Sequence, residues 1–171
     1  RRCSDLYCGA GAMAYVDGTG RTVWEKTGPH FEPRDVGRGI PEVPELQELV
    51  DIDHVPRGES PVRLYDINGR WLGQIVSDYC RQHTLLDWTG DGCEEIMLAD
   101  ARGVFDGAGK RIATLRCDGK GIALQKGDMD GDGVPDIGIV TETGFFIFRN
   151  TDGARPEKAP PLGCGVNYTL Y

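Results

Sequence analysis

The sequence predicts an all-β chain that forms a single domain, and its composition and its apolar runs both support this. The 171 residues include 25 glycines and 10 prolines, a content of turn-forming residues that suits short strands better than helices. Apolar runs such as "DIGIVT" and "FFIFRN" are separated by acidic, glycine-containing turns. The hydrophobic content of 39% is compatible with one packed core.

Charge and hydropathy exclude some classes of partner. The net charge of −8 and the pI near 4.9 argue against nucleic acid. No apolar run reaches the roughly 18 residues that a membrane-spanning helix needs. The chain begins "RRCSDLYC", without a Met or a signal peptide, so we expect its start to be truncated or processed.

The cysteines do not predict a metal site. They lack the C-x-x-C spacing of zinc ligands, so buried thiols are the default interpretation. A bridge from Cys3 to Cys8 or to Cys164 stays open, because sequence alone assigns no pairing. The full set is Cys3, Cys8, Cys80, Cys93, Cys117 and Cys164.

The segment "GDMDGDGVPDIGIV", residues 127–140, predicts a calcium loop. Four carboxylates this close repel one another unless a cation lies between them, and Ca²⁺ takes six to eight oxygen ligands. Aspartates stand at loop positions 1, 3, 5 and 9, with a backbone carbonyl at position 7. An EF-hand would need Glu at position 12, where Ile139 begins to read as a strand. The predicted ligands are Asp128, Asp130, Asp132, the Val134 carbonyl and Asp136.

A second segment, "DWTGDGCEE", repeats the same spacing. An acidic turn without metal is the alternative for either loop, but the recurrence favours calcium. We therefore predict two calcium sites. The segment "VDIDHVPRG" keeps Asp51 and Asp53 without Gly-Asp-Gly, and we interpret it as a degenerate, empty copy. The ligands predicted for the second segment are Asp87, Thr89, Asp91, the Cys93 carbonyl and Glu95.

A turn signal recurs along the chain in "VDGTGRTVW", "YDINGRWLG", "FDGAGKRIA" and "RNTDGARPE". Its anchors Asp17, Asp66, Asp106 and Asn150 are 49, 40 and 44 residues apart. This spacing is close to that of four-stranded β-propeller blades. We expect an incomplete β-propeller, an open arc of about three and a half blades, which would be the C-terminal part of a longer protein.

The blades expected from these repeats occupy approximately residues 1–30, 47–80, 81–120 and 121–155. An inserted loop is expected at 28–46 and a closing segment at 160–171. Residues 83–150 should form two antiparallel meanders. Their inward faces should carry Ile96, Leu98, Val104, Ile112, Ile137, Ile139, Phe146 and Phe148 or their immediate alternates.

The two D-x-[DT]-G-D-G-x-x-[DE] loops at blade spacing resemble those of FG-GAP or VCBS-type propellers. A narrower likeness lies in "GPHFE", "HTLLDWTGDGCEEI", "RGVFDGAGKRIATL" and "GCGVNYTLY". These segments look like the last blades of bacterial proteins related to rhamnogalacturonan lyases of polysaccharide lyase family 11. The resemblance implies a calcium-binding propeller that cleaves pectic backbone by β-elimination. It further implies an acidic polysaccharide or other glycan as partner, further N-terminal blades, and an extracellular or periplasmic location.

β-Elimination needs a base of near-neutral pKa and a cation that neutralises the uronate carboxylate. The candidate bases are His30, His54 and His83. The candidate groups for holding substrate are Arg34, Arg81 and Tyr79. Structural roles are the alternative for each histidine. Two hypotheses remain: a lyase whose histidines converge on a cleft, or a non-catalytic propeller that binds glycan or protein at its rim.

Overall fold

The computed structural model describes residues 5–9, 11–28, 30–53, 59–78 and 82–151. Across these residues it contains strands and turns without a helix, so the all-β prediction is confirmed. The strands are β1 (Asp5–Gly9), β2 (Ala12–Val16), β3 (Thr22–Thr27), β4 (His30–Gly37), β5 (Gln47–Asp53), β6 (Glu59–Asp66), β7 (Trp71–Asp78), β8 (His83–Leu86), β9 (Glu95–Leu98), β10 (Gly103–Phe105), β11 (Arg111–Thr114), β12 (Gly121–Gly127), β13 (Asp136–Thr141) and β14 (Phe145–Phe148).

The strands form four antiparallel sheets in chain order. Sheet 1 is β1-β2-β3, sheet 2 is β4-β5-β6-β7, sheet 3 is β8-β9-β10-β11 and sheet 4 is β12-β13-β14. Each strand pairs with the next strand along the chain, so every sheet is a meander. The first strands of successive sheets contact one another, β1 with β4, β4 with β8, and β8 with β12. Neighbouring sheets therefore meet at their first strands.

Sheet 3 is buried on both faces, and alternation along β9 explains how. Ile96 and Leu98 pack into one apolar core with side chains of sheet 2. Met97 and the following Ala99 pack into a second core with side chains of sheet 4. Successive side chains of a strand point to opposite faces, so an uninterrupted apolar run fills two cores at once. Each fully buried Leu, Ile or Met contributes about 1.5–3 kcal/mol relative to an exposed one.

Most of the side chains predicted to face inward do so. Ile96, Leu98, Val104, Ile137 and Ile139 are buried, and Phe146 and Phe148 are half-buried. Ile112 is the exception, since it lies on the edge strand β11 and is 43% exposed. Its neighbour Ala113 packs against the second core instead.

Three sheets contain the same turn before their last strand, as the recurring signal predicts. In each, the Oδ1 atom of Asp17, Asp66 or Asp106 accepts the backbone N–H groups two and four residues further on, at 2.8–3.2 Å. The glycine three residues on has a φ of 74–85°, a conformation that glycine adopts at little cost. Asn150 differs, because its N–H donates to Asp136 at 2.9 Å.

Two sequence predictions differ from the structure. The segment 28–46, expected as an inserted loop, contains strand β4, which pairs with β5 through a bulge between Pro33 and Asp35. The proline and the charged residues of this segment are not typical of a strand, so the sequence did not predict β4. The bulge accommodates Pro33, which has no backbone N–H to donate. Asp51 and Asp53, interpreted as a degenerate calcium loop, lie within β5. No helix in the described ranges has the length and apolar character to cross a membrane.

Candidate metal loops

The two predicted calcium loops occupy the same place in their sheets. Residues 87–94 connect β8 to β9, and residues 128–135 connect β12 to β13, so each loop joins the first strand to the second. The flanking strands pair up to the loop, with Leu86 opposite Glu95 and Gly127 opposite Asp136. Position 9 of each loop is thereby held next to position 1. In sheet 2 the equivalent connection, residues 38–46, has no Gly-Asp-Gly sequence.

The first aspartate closes each loop through the same two hydrogen bonds. Asp87 accepts the N–H groups of Gly90 and Gly92 at 2.7 and 3.0 Å. Asp128 accepts the N–H groups of the glycines at the same two positions, again at 2.7 and 3.0 Å. All four glycines have φ between 76° and 88°. Other side chains are strained in this left-handed region, which explains the Gly-Asp-Gly sequence.

In each loop the aspartate at the fifth position accepts a hydrogen bond from the residue at the seventh position, whose carbonyl is a predicted ligand. The Cys93 N–H donates to Oδ1 of Asp91 at 2.8 Å, and the Val134 N–H donates to Oδ1 of Asp132 at the same distance. Burial raises the pKa of the Cys93 thiol, and the negative charge of Asp91 raises it further. The thiol is therefore a poor ligand, and the carbonyl of this residue is the better donor for a hard cation.

In both loops the side-chain carboxylate at the ninth position accepts a hydrogen bond from the backbone N–H at the second position. Glu95 accepts the Trp88 N–H at 2.8 Å, and Asp136 accepts the Met129 N–H at 2.9 Å. Glu95 and Asp136 are 7% and 1% exposed, although both carry carboxylates. The same Glu95 oxygen also accepts the Thr89 N–H at 3.2 Å, whereas Oδ2 of Asp136 accepts one N–H and keeps a lone pair for a cation.

The second loop brings three carboxylates together. One oxygen from each of Asp128, Asp130 and Asp136 lies within 4.8 Å of the other two. Oxygens that share one Ca²⁺ at 2.3–2.6 Å lie no more than about 5 Å apart, so these three fit a single ion. Among the described residues this is the one such group of His, Cys, Asp or Glu side chains. Asp132, also a predicted ligand, is not part of it.

Arg149 contacts the second loop from the end of β14. Its guanidinium forms an ion pair and hydrogen bonds with Oδ2 of Asp130. Desolvation raises the pKa of Asp130, but hydrogen bonds from the Asp132 N–H and from Arg149 lower it more, so the net shift is downward. Asp130 is therefore held as the anion. The sequence did not indicate Arg149, because it lies 19 residues from its partner.

In the first loop the predicted ligand side chains lie less close together than in the second loop. The carboxylates of Asp87, Asp91 and Glu95 do not form a group of the kind found in the second loop. The Thr89 hydroxyl donates to Oε1 of Glu95 at 3.0 Å and lies at the third ligand position. A hydroxyl in place of a carboxylate lowers the negative charge around a bound ion, so the second loop is the stronger candidate.

The two histidines among the described residues, His30 and His83, each lie at the first position of a strand. His83 is the first residue of β8 and is 7% exposed, with both ring nitrogens shielded from solvent. His30 lies at the start of β4, where its Nε2 is 2.8 Å from Oε1 of Glu32. The other candidates, His54, Tyr79 and Arg81, lie outside the described residues, as does the side chain of Arg34.

A central polar contact was also not foreseen. Asp35 on β4 accepts the Thr84 hydroxyl at 2.6 Å and the Leu85 N–H at 3.0 Å, both from β8. Lys126 on β12 donates to the same carboxylate and to the Leu85 carbonyl. One carboxylate thus connects the first strands of three sheets.

Comparisons with known proteins assign this chain to no family. No protein-family model matches the sequence, and no curated protein matches it. The assignment of function therefore depends on the geometry of the loops and sheets.

Proposed function

We propose that this chain is part of a calcium-stabilised β-propeller whose four sheets are its blades. Three features support this proposal: the sheets are successive meanders, their first strands contact one another, and the same turn precedes the last strand in three of them. Sheet 3, covered on both faces, has the burial that a blade between two neighbours requires. The first and last sheets each have three described strands.

The observation that carries the calcium proposal is the convergence of Asp128, Asp130 and Asp136. In this proposal these carboxylates hold the ion together with the Asp132 side chain and the Val134 carbonyl. The first loop, with its matching hydrogen bonds, holds a second ion more weakly. The ion would neutralise the clustered charge, so its binding free energy adds to the stability of the folded blade.

The test compares unfolding in calcium and in EDTA. At a free calcium concentration about 100 times the Kd, the parent should gain about 2.7 kcal/mol per site. Asp130→Ala and Asp132→Ala should lose most of the gain from the second site. Glu142→Ala is the matched control, because Glu142 is an exposed acid of the same sheet outside the loop. Equal melting temperatures for parent and loop variants under both conditions would contradict the proposal.

We propose that the propeller binds an acidic polysaccharide and does not cleave it. The likeness of its loops and strands to rhamnogalacturonan lyases favours an acidic polysaccharide as the ligand. The same likeness favours a location outside the cytoplasm. The shielded nitrogens of His83 favour binding over catalysis, because a base must reach its proton to within hydrogen-bonding distance. Incubation with rhamnogalacturonan should leave no unsaturated chain ends, as measured by ultraviolet absorbance. Their appearance, and its loss in His83→Gln, would support the lyase instead.

A further inference from the structure

A basic cleft lies between sheets 3 and 4, away from the metal loops. Its volume is about 420 Å³, within the range of small-ligand sites. It is lined by the β9–β10 turn, by β11 and the loop that follows it, and by β14. The polar and aromatic lining consists of Arg102, Arg111, Thr114, Arg116, Asp118 and Phe146.

Three other arginines of the described residues make ion pairs of a kind that the three arginines of this cleft lack. Arg21, Arg70 and Arg149 each lie within 4 Å of an aspartate. Across the described part of the chain, no carboxylate lies at ion-pair distance from Arg102, Arg111 or Arg116. Among the described residues, the lining therefore carries three guanidinium groups against one carboxylate, that of Asp118, in a chain of net charge −8.

Arg111 is held in place by its neighbours. It is opposite Phe105 in the β10–β11 pair, and its guanidinium carbon lies 5.0 Å from the centroid of that ring. Gly103 leaves space for both groups, because a Cβ there would lie 2.7 Å from the ring and 3.1 Å from the guanidinium carbon. This packing lowers the entropy that Arg111 would lose on binding an anion.

The side chain of Arg102 stabilises another part of the cleft, although the backbone conformation of this residue is unfavourable. Its φ of 45° lies in the left-handed region, which residues other than glycine seldom adopt. The side chain is nevertheless used, since Nη1 donates to the Cys117 carbonyl at 2.7 Å and lies 3.5 Å from the Gly119 carbonyl. These contacts fix the loop that carries Arg116 and Asp118.

We propose that this cleft binds a uronate unit of an acidic saccharide. Arg111 and Arg116 would pair with the carboxylate, since a guanidinium matches its two oxygens. Thr114 and Asp118 offer hydrogen-bonding partners for sugar hydroxyls, and Phe146 offers an apolar surface for the ring. The choice of a saccharide rests on the function proposed above, whereas the site and its preference for carboxylate rest on the cleft.

The experiment titrates the full calcium-loaded chain with oligogalacturonate by calorimetry. Arg111→Gln and Arg116→Gln should each weaken binding about fivefold, and the double variant about 25-fold if the two act independently. Arg63→Gln is the matched control, because Arg63 also lies over an aromatic ring, 5.4 Å from the centroid of Trp71, but does not line the cleft. It should bind like the parent.

The outcomes distinguish failure of the cleft proposal from failure of the proposed saccharide binding. Parent binding that survives in both cleft variants would overturn the cleft and leave saccharide binding standing. A parent that binds no oligogalacturonate would overturn both. A sulfated oligosaccharide and a single-stranded RNA of equal charge are also titrated. If either binds as tightly as oligogalacturonate or more tightly, the assignment of the cleft to uronate is overturned. Neutral oligosaccharide should show no binding.

Discussion

The carboxylate of Asp35 on β4 accepts the hydroxyl of Thr84 on β8 at 2.6 Å, which ties the first strands of sheets 2 and 3 together. Lys126 on β12 reaches the same carboxylate and so adds sheet 4 to the contact. These groups are partly buried, with side-chain exposures of 20% for Asp35 and 37% for Lys126. The contact joins three sheets where their first strands meet.

Removing Asp35 should therefore weaken the association of the sheets. Asp35→Ala should cost about 1–3 kcal/mol in the free energy of unfolding, because Thr84 and Lys126 lose their acceptor. A double-mutant cycle with Lys126→Met should show a coupling of about 0.5–1 kcal/mol, measured by urea denaturation. Additive effects of the two substitutions would contradict a direct contact.

Replacing Arg149 should tighten calcium binding at the second loop alone. Its guanidinium competes for Asp130 and adds positive charge near the ion, so Arg149→Gln should lower the Kd about threefold to tenfold at low salt. Calcium titrations followed by NMR separate the loops, with the Gly131 amide reporting on the second and the Gly92 amide on the first. An unchanged second site, or equal changes at both, would oppose this account. High salt should reduce the effect.

The turn at Asp17 predicts a specific dependence on pH. Hydrogen bonds from the Thr19 hydroxyl and N–H lower the pKa of Asp17 from 3.8 to about 2. Because the folded pKa lies below the unfolded one, the contribution of this carboxylate is full above pH 3.8 and is lost as the pH falls through 2. An NMR titration of its carboxyl carbon should give a midpoint near 2, and Thr19→Ala should raise it. A midpoint near 3.8 would show that the turn does not form.

The outer face of sheet 4 should promote self-association. Val140, Phe145 and Ile147 are 37%, 56% and 49% exposed, and Phe145 lies over Gly138. Exposed apolar surface costs about 25 cal/mol per Å², so a second copy or further chain should cover it. Light scattering of the 171-residue chain should show dimers or larger species, which Phe145→Lys with Ile147→Lys reduces. Ile67→Lys, 42% exposed in a turn, is the control. A compact monomer of the parent would contradict this.

The sequence predicted the features that depend on local chemistry. The conformations of the two Gly-Asp-Gly loops and of the Asp-x-x-Gly turns follow from residues a few positions apart, since their hydrogen bonds are made within those segments. Strand β4 was missed because Pro33 breaks the expected pattern, and only pairing with β5 and a bulge make that segment a strand. A local signal cannot report pairing between distant segments.

The remaining site features depend on contacts between distant residues. Asp35 and Lys126 are 91 residues apart in the chain, and Arg149 is 19 residues from Asp130. The arginine cleft forms only when sheet 3 lies against Phe146 of sheet 4. His83 was a candidate base, but β8 contacts the first strands of the two neighbouring sheets, β4 and β12, and His83 is buried.

Calcium uptake by the EDTA-treated chain tests the central claim most directly. Isothermal titration calorimetry should show two bound ions per chain, the tighter one lost in Asp128→Ala and the weaker one lost in Asp87→Ala. Each of these aspartates closes its own loop through two glycine N–H groups, and so each substitution should act on one site. Glu142→Ala should keep both ions. Absence of calcium uptake by the folded parent would contradict the account.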